Sequence, residues 1–212
     1  QMCIRDSCST IIMVMALKPI YDLAKIKRVI VSTYQAVSGA GKEGIDELDA
    51  QVREHSEGRE MTANILPSSS AEKHYPIAFN LIPQIDVFCD NLYTKEEMKM
   101  VNETKKIMED YEMRITATTI RVPVYRSHSE SVNIELEKAV DLGAMREALA
   151  KFPGVTVQDD PSKQEYPMPL YTSEKDDVYV GRLRRDESCE KSYNMWVVGD
   201  QIRKGAALNT LQ

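Results

Sequence analysis

Apolar residues recur at helical spacing in several segments of the chain, and this pattern predicts helices. The first begins at Ser9 or Thr10, either of which can cap a helix, and its apolar face continues to Ala16. Thr94-Lys95-Glu96-Glu97 has the spacing of a capping box and predicts a helix that runs to about Asp110. Further helices are predicted at residues 43–57, 142–151 (before Pro153-Gly154) and 202–211.

β-Branched and aromatic residues cluster or alternate in other segments, and this pattern predicts strands. Residues 113–124 carry the strongest signal, and the remaining strands are predicted at 27–34, 131–136, 177–183 and 194–198. Residues 64–76 and the acidic, proline-containing residues 158–176 are predicted loops. Because helices separate only some of the strands, the pattern favours an α+β fold with a mixed or antiparallel sheet.

Composition narrows the function classes. The 212 residues include 27 Lys+Arg and 33 Asp+Glu, a formal net charge of -6, which argues against a nucleic-acid partner because such proteins need a basic face. The longest apolar run, residues 11–17, is shorter than the about 20 residues of a membrane span. The four cysteines form no Cys-x-x-Cys pair and the three histidines are scattered, so we expect no metal site and a cytoplasmic location.

Cys8 is the sharpest candidate for chemistry. It lies at the start of a predicted helix, where unpaired backbone N–H groups and the helix dipole favour an anion. A thiol in that position is expected to shift toward the nucleophilic thiolate, and the same N–H groups would stabilise an oxyanion. The alternative is a small buried apolar side chain, which is the usual role of a free cysteine.

Residues 121–128 (RVPVYRSH) form a second constellation. Arg121 lies late in a predicted strand and His128 follows in a predicted turn, so both are expected to face one cleft. Arginine can grip a carboxylate with two parallel bonds, and histidine can move protons near neutral pH. The alternative is a solvated turn with incidental charges.

Two further features are weak on their own. Glu103 and Lys106 lie three residues apart and share a face of the helix that Thr94 opens, as an ordinary exposed ion pair would. The turn Ser38-Gly39-Ala40-Gly41 could bring backbone N–H groups to a ligand, although it lacks the full Gly-x-Gly-x-x-Gly spacing of a dinucleotide fingerprint.

In order along the chain, these pieces resemble the aspartate-semialdehyde dehydrogenase family, in its catalytic and dimerisation part. The resemblance runs from Cys8 to the end of the chain. Its blocks are CSTI at 8–11, LKP at 17–19, STYQAVSGAG at 32–41, FNLIPQID at 79–86, ETKK at 103–106, RVPV at 121–124 with His128, VGRLR at 180–184 and KGAALN at 204–209.

The resemblance implies a reaction. Enzymes of this family interconvert aspartate β-semialdehyde and β-aspartyl phosphate with NADP and inorganic phosphate, on the route to lysine, threonine and methionine. The Cys8 thiolate would attack the aldehyde carbon, and His128 would take the hydroxyl proton while hydride leaves for the nicotinamide. Phosphate would then split the thioester.

The resemblance also implies a role for each matching residue. A zwitterionic substrate needs one cation and one anion in its pocket, and phosphate needs another cation. The implied roles are orientation of the substrate by Gln35, binding of its α-carboxylate by Arg121 and of its ammonium group by Glu103, binding of phosphate by Lys106, and contact with NADP by Ser38, Gly39 and Gln201.

The chain departs from the family pattern at both ends. The family usually has Asn-Pro-Asn before the cysteine where this chain has Arg5-Asp6-Ser7, so residues 1–7 are predicted to be a non-native leader. The family has Asp-Asn where this chain has Asp200-Gln201, which lengthens a side chain expected at the cofactor.

The same resemblance implies a domain plan. Residues 8–199 would form an α+β catalytic and dimerisation domain like the C-terminal domain of glyceraldehyde-3-phosphate dehydrogenase, with the N-terminal Rossmann domain missing. Residues 200–212 would form a helix that packs on that missing domain. The chain is therefore expected to be inactive alone and to pair into a homodimer or homotetramer.

Other functions stay open at this point. N-acetyl-γ-glutamyl-phosphate reductase uses the same cysteine chemistry, although Glu103 with Arg121 favours a free amino acid as substrate. A non-catalytic dimerisation module is a second alternative. A cysteine hydrolase is a third, supported only by Cys8 and His128.

Overall fold

The computed structural model describes residues 7–203, which fold around one six-stranded sheet. The helices are α1 (Cys8–Leu23), α2 (Lys42–Ser56), α3 (Lys95–Ile107), α4 (Leu142–Lys151) and the short α5 (Pro169–Thr172). The strands are β1 (Ile26–Gln35), β2 (Arg114–Arg121), β3 (His128–Leu136), β4 (Val155–Val157), β5 (Val178–Arg185) and β6 (Ser192–Gly199).

The sheet has the strand order β2-β1-β3-β6-β5-β4. The pairs β1–β2 and β4–β5 are parallel, whereas β1–β3, β3–β6 and β5–β6 are antiparallel. The sheet is therefore mixed, and the predicted α+β class is confirmed. Parallel pairs need a crossover, and the longest here is the connection from β1 to β2, which contains α2, a long irregular segment and α3.

Helix α1 provides the centre of the main core. Nine of its sixteen residues are buried, and it packs against α3, α4 and one face of the sheet. The sheet contributes apolar side chains to the same core, from β1 (Val29 and Val31) and from β3 (Ile134 and Leu136). The alternation of buried and exposed residues along these strands follows from the two-residue period of a strand, so one face of β1 and β3 is continuous with the core. A smaller apolar cluster surrounds Leu66 under α2.

Several predicted boundaries need correction. Helix α1 begins at Cys8 with Ser7 at the N-cap, not at Ser9 or Thr10, which are buried in its first turn. Strand β3 begins at His128, so this histidine opens a strand and does not lie in a turn.

The remaining differences concern short elements. The predicted loop 158–176 contains α5, and the three-residue strand β4 was missed because so short a segment has no periodicity to detect. The helix predicted at 202–211 lies mostly outside the described residues, as do residues 1–6. Across 7–203, no helix combines the length and hydropathy that crossing a bilayer requires.

Candidate active site

The candidate site lies where β1 and β2 end and β3 begins, at the N-terminus of α1. The sheet register places Gln35 beside Arg121 at the ends of two parallel strands, and Thr33 beside Glu130 across the antiparallel pair. His128 is the first residue of β3, two residues before Glu130. Their side chains point to the same face of the sheet as the buried residues of the core. Segments that are almost one hundred residues apart in the sequence therefore meet at one end of the sheet.

The backbone of Ala36 fixes two of the predicted site residues. Its N–H donates to Nδ1 of His128 over 3.0 Å, and its carbonyl oxygen accepts from Nη1 of Arg121 over 2.6 Å. Gly39 closes over this pair, because a Cβ at that position would lie 2.7 Å from Arg121 Nη1 and 3.3 Å from His128 Cε1. A side chain at residue 39 would therefore displace the arginine or the histidine.

Arg121 and His128 are both buried. Burial lowers the pKa of Arg121 to about 10, although Cys8 and Glu96 act in the opposite direction, so the guanidinium keeps its charge at neutral pH. Burial, with a further effect of the nearby Arg121 charge, holds the pKa of His128 well below its usual value. The site therefore contains a fixed cation beside a neutral imidazole.

Cys8 is the first residue of α1, and the Ser9 N–H bonds to its sulfur. The sulfur nevertheless has a pKa raised to about 12, first by burial, then by Glu96 and more weakly by Glu130, which outweigh the Ser9 N–H and Arg121. The expectation of a lowered thiol pKa is therefore wrong for this chain. A helix terminus contributes a partial charge, and two nearby carboxylates together with desolvation exceed it.

Glu96 belongs to the site although the sequence did not single it out. Its Oε1 accepts from the Ser7 hydroxyl over 2.6 Å and from Gln35 Nε2 over 3.4 Å, and Gln35 Nε2 also lies 3.2 Å from Thr33 Oγ1. The capping-box pattern explains only Glu97, whose carboxylate accepts from the N–H groups of Thr94 and Thr119. It therefore gave no reason to single out Glu96. The other glutamate of the pair, Glu96, is thereby left to face Cys8.

Glu130 was also missed. It is fully buried on β3, and neither carboxylate oxygen has a hydrogen-bond partner among residues 7–203. Burial and the Glu96 charge raise its pKa well above the usual value. An alternating strand that starts at His128 places residue 130 on the inner face, so a correct strand boundary would have drawn attention to it.

The structure places Glu103 beside the N-terminus of α1, whereas Lys106 is exposed. Glu103 Oε2 accepts from the Ser7 N–H over 2.7 Å, immediately before Cys8. Lys106 is exposed in the last turn of α3, and no ion pair involves it within the described part of the chain. Ser7 itself is buried, whereas the rest of the predicted leader, residues 1–6, lies outside the described residues.

On the other side of the site, Gln201 contacts the turn that contains Ser38 and Gly39. Gln201 Nε2 donates to the Ser38 hydroxyl, and Gln201 Oε1 accepts from the Ser127 N–H over 3.0 Å. Ser127 has a φ of 70°, a left-handed conformation that costs energy in a non-glycine residue, and it directly precedes His128. The Thr172 hydroxyl of α5 donates to the Ser127 hydroxyl over 3.1 Å. These bonds hold the backbone that presents His128.

The other cysteines stand apart from this arrangement. Cys89 is a partly buried free thiol and Cys189 an exposed one. Among residues 7–203, no group of three or more His, Cys, Asp or Glu side chains has the geometry to hold a metal ion.

Known proteins resemble the chain over nearly its whole length. Residues 17–204 match the family described as "Semialdehyde dehydrogenase, dimerisation domain". An aspartate-semialdehyde dehydrogenase of Aquifex aeolicus is 52% identical over 206 residues, and that of Bacillus subtilis is 50% identical over 207. Each alignment covers 97% of this chain, but only 59% and 60% of the two relatives. The chain thus spans about three fifths of their length.

A solved structure agrees with these relatives. The crystal structure of aspartate semialdehyde dehydrogenase II from Vibrio cholerae has a TM-score of 0.91 at 44% identity, over 97% of this chain and 59% of that one. The same protein in complex with ASA also gives a TM-score of 0.91.

The family match includes Gln35, Arg121 and His128, which lie together in one site. Cys8 precedes the matched region and is covered only by the longer alignments with the relatives. On the match over residues 17–204, supported by the shared fold, the chain belongs to the semialdehyde dehydrogenase dimerisation-domain family.

Proposed function

We propose that this chain is the catalytic and dimerisation part of an aspartate-semialdehyde dehydrogenase. The reaction joins aspartate β-semialdehyde and phosphate and reduces NADP, giving β-aspartyl phosphate through a thioester on Cys8. The observation that carries the proposal is the convergence of a helix-terminal cysteine with an arginine and a histidine that both bond to the backbone of Ala36. The ASA complex of the Vibrio cholerae enzyme supports the same substrate here.

The buried charges suit an amino acid with an aldehyde side chain. Arg121 supplies a fixed cation for the α-carboxylate, with Nη1 held by the Ala36 carbonyl. Glu103 accepts from the Ser7 N–H, next to Cys8, and would bind the α-ammonium group. Lys106 is exposed at the end of the same helix and would bind phosphate.

Gln35 supplies an amide next to the nucleophile. Its Nε2 group is held by Thr33 and Glu96, so its orientation relative to the strand is fixed. We assign it to orient the acyl group on Cys8. This assignment places an uncharged donor where a charged side chain would compete with Arg121 for the substrate carboxylate.

NADP would lie on one side of the site. Gly39 leaves no side chain above Arg121 and His128, and the Ser38–Gln201 pair adds a polar rim. Ser38, Gly39 and Gln201 would hold the nicotinamide end of the cofactor, which accepts hydride when bound. The longer Gln201 side chain already spans to Ser38, so its length serves this bridge.

The domain plan is part of the same proposal. Residues 8–199 would form the catalytic and dimerisation domain, and residues 200–212 would contact a nucleotide-binding domain. The chain alone would be inactive, cytoplasmic and paired as a homodimer or homotetramer.

The test uses a chimera of this chain with the part of the Aquifex aeolicus relative that it does not cover. NADPH formation from aspartate semialdehyde is followed with and without phosphate, in the chimera, in its Cys8→Ala variant and in the chain alone. We expect phosphate-dependent turnover in the chimera only. Turnover that survives in Cys8→Ala, or a preference for N-acetyl-γ-glutamate semialdehyde, would overturn the proposal. Sedimentation velocity of the chain tests pairing separately.

A further inference from the structure

Beyond the last paired residues of β3 and β6, side chains continue the connection between the two strands. The backbone ladder ends with His128 opposite Gly199. Ser127 has a φ of 70°, a left-handed conformation outside the strand region, so the backbone pairing cannot extend to it. Gln201, just after β6, instead accepts from the Ser127 N–H through its side-chain Oε1 over 3.0 Å. The turn just before His128 is therefore joined to β6 by side chains.

Asp200 supplies the second of these connections. Its side chain is fully buried, and Oδ2 lies 3.0 Å from Nη2 of Arg126, two residues before His128. The same oxygen accepts from the Glu174 N–H over 2.6 Å, and Oδ1 accepts from the Ile202 N–H over 2.9 Å. One carboxylate therefore ties together the turn before β3, the segment after α5 and the chain that leaves β6.

Arg126 has two acidic partners in different surroundings. Its Nη1 also lies 3.0 Å from Glu174 Oε1, but that side chain is 74% exposed, whereas Asp200 has no exposed surface. An exposed pair is screened by water and contributes little. Arg126 Nε is buried without a hydrogen-bond partner among residues 7–203, so the guanidinium depends on its Nη atoms. The buried pair with Asp200 is therefore the contact that fixes Arg126.

The buried Asp200–Arg126 pair is a poor source of stability, because the cost of removing both charges from water offsets their attraction. Such a pair does fix geometry, since a carboxylate bound by three donors constrains the three segments that supply them. The constrained turn includes Ser127, whose left-handed φ costs energy that the surroundings must supply. What the pair provides is therefore the position of the backbone at the start of β3.

We propose that Asp200 and Arg126 are positioning residues, which together hold the turn before β3 so that the His128 side chain keeps its place in the site. The inference rests on the proposed function for the reaction that His128 serves, and it assigns no new role to the imidazole. The placement of the turn does not depend on that function. The proposed substrate-binding residues Arg121 and Glu103 lie on other elements, β2 and α3, so loss of the pair should act on kcat more than on KM.

The first experiment measures the turn in the chain alone. Amide hydrogen exchange of the Ser127 N–H, read by NMR of ¹⁵N-labelled protein, reports its bond to Gln201. We expect Asp200→Asn, which keeps the size of the side chain but removes its charge, to speed this exchange at least about tenfold. Glu174→Gln changes only the exposed partner of Arg126 and is the matched control, with no change expected. Unchanged exchange in a folded Asp200→Asn variant, or equally fast exchange in Glu174→Gln, would overturn the inference.

A double variant separates position from stability. Arg126→Met alone leaves the buried Asp200 charge unpaired and should destabilise the chain toward urea. Adding Asp200→Asn removes that charge, so stability should recover while the fast exchange of the Ser127 N–H remains. Recovery of both would show that the pair only stabilises the fold, and would contradict the proposal. Arg126→Met also supplies the exchange measurement if Asp200→Asn alone does not fold.

Catalysis is tested in the chimera with the Aquifex aeolicus relative. We expect Asp200→Asn, Arg126→Met and the double variant each to lower kcat at least about tenfold, or about 1.4 kcal/mol in barrier, with KM for aspartate semialdehyde changed less than about twofold. Glu174→Gln should retain the parent kcat. A kcat that recovers with stability in the double variant, or a loss confined to KM, would refute the positioning role. An inactive parent chimera would instead count against the proposed function, and the exchange of the Ser127 N–H would still decide the placement of the turn.

Discussion

The two ends of one buried sheet face differ sharply, although the same strands form both. At the core end, β1 and β3 present Val31, Ile134 and Leu136 to α1. At the site end, the same two strands present Gln35, His128 and Glu130, which are no less buried. Burial therefore does not separate the two regions. What separates them is whether each buried group has a partner.

At the core end the buried side chains are apolar and need no hydrogen-bond partner. At the site end several buried polar atoms lack a partner. At the site end, the unpartnered buried atoms among residues 7–203 include Arg121 Nε, His128 Nε2 and both oxygens of Glu130, and further ones lie in Glu47, Thr104, Arg126 and Ser129. Ser9 and Thr10 add unpaired hydroxyls in the first turn of α1. Natural sequences keep such costs where a function requires them. The comparison teaches that the site is marked by unsatisfied polarity within an otherwise regular sheet.

The largest effect on stability should come from the core end. Ile134→Ala deletes a fully buried side chain, and we expect it to lower the free energy of unfolding by about 2–5 kcal/mol. Urea denaturation of the chain measures the loss. Leu170→Ala, at a residue that is 78% exposed, is the control and should change stability by less than about 0.5 kcal/mol. Similar losses in both variants would contradict the assignment of this core.

Gly39→Ala should act on the site end alone. Its Cβ would stand 2.7 Å from Arg121 Nη1, so the guanidinium must move. We expect kcat/KM of the chimera to fall about 100-fold, or about 2.7 kcal/mol, because misplaced groups lose transition-state contacts. Gly58→Ala serves as the control, since its Cβ position is open and only its φ of 70° is strained. An active Gly39→Ala variant would refute the close packing of this turn.

Glu130→Met should stabilise the chain, the reverse of the effect at Ile134 on the same strand. It replaces an unsatisfied buried carboxyl with an apolar side chain of similar size, and we expect a gain of about 1–3 kcal/mol. Chemical denaturation at about pH 5 and pH 8 measures it.

The pH dependence of this gain has a definite sign. The pKa of Glu130 is raised in the folded chain, so the folded state binds more protons than the unfolded state above the unfolded pKa of about 4.5. The stability of the parent chain falls as pH rises through that window, because ionising the unfolded state favours unfolding. The methionine variant lacks this term, so its advantage should be larger at pH 8. A larger advantage at pH 5 would show that Glu130 is not held protonated.

The smallest effect concerns Cys8. The negative charge of Glu96 raises the pKa of this thiol, so Glu96→Gln should lower that pKa and increase the thiolate fraction below it. We expect iodoacetamide to alkylate Cys8 about tenfold faster, as for a pKa change of about one unit. Peptide mass spectrometry separates Cys8 from Cys89 and Cys189, whose rates should not change. A slower reaction would reverse the role assigned to Glu96.

Local rules predicted those parts of the molecule whose causes are local. The capping box at Thr94 forms both of its bonds, and α3 begins where it was expected. The segment 121–128 predicted that Arg121 and His128 face one cleft, and the structure joins them through Ala36. A strand of three residues, by contrast, has too short a pattern to be seen.

The missed features depend on contacts between distant segments. Glu96 meets Ser7 across 89 positions of the chain, and nothing near either residue indicates the contact. Glu130 is buried because β3 begins three residues earlier than its apolar pattern suggests. The predicted direction of the Cys8 pKa shift was wrong for the same reason. The helix terminus is a local feature of the sequence, whereas the carboxylates that oppose it come from distant segments.

The Gln201 bridge has a mechanical consequence. Through its amide, the backbone just after β6 is tied to the turn at Ser38 and to the strained Ser127. A pull on the chain beyond residue 201 therefore bears on the residue that aims His128, through one short side-chain tether. A displacement of the chain at the end of β6 would therefore shift the His128 imidazole, and the length of the Gln201 side chain sets the distance over which the two are connected.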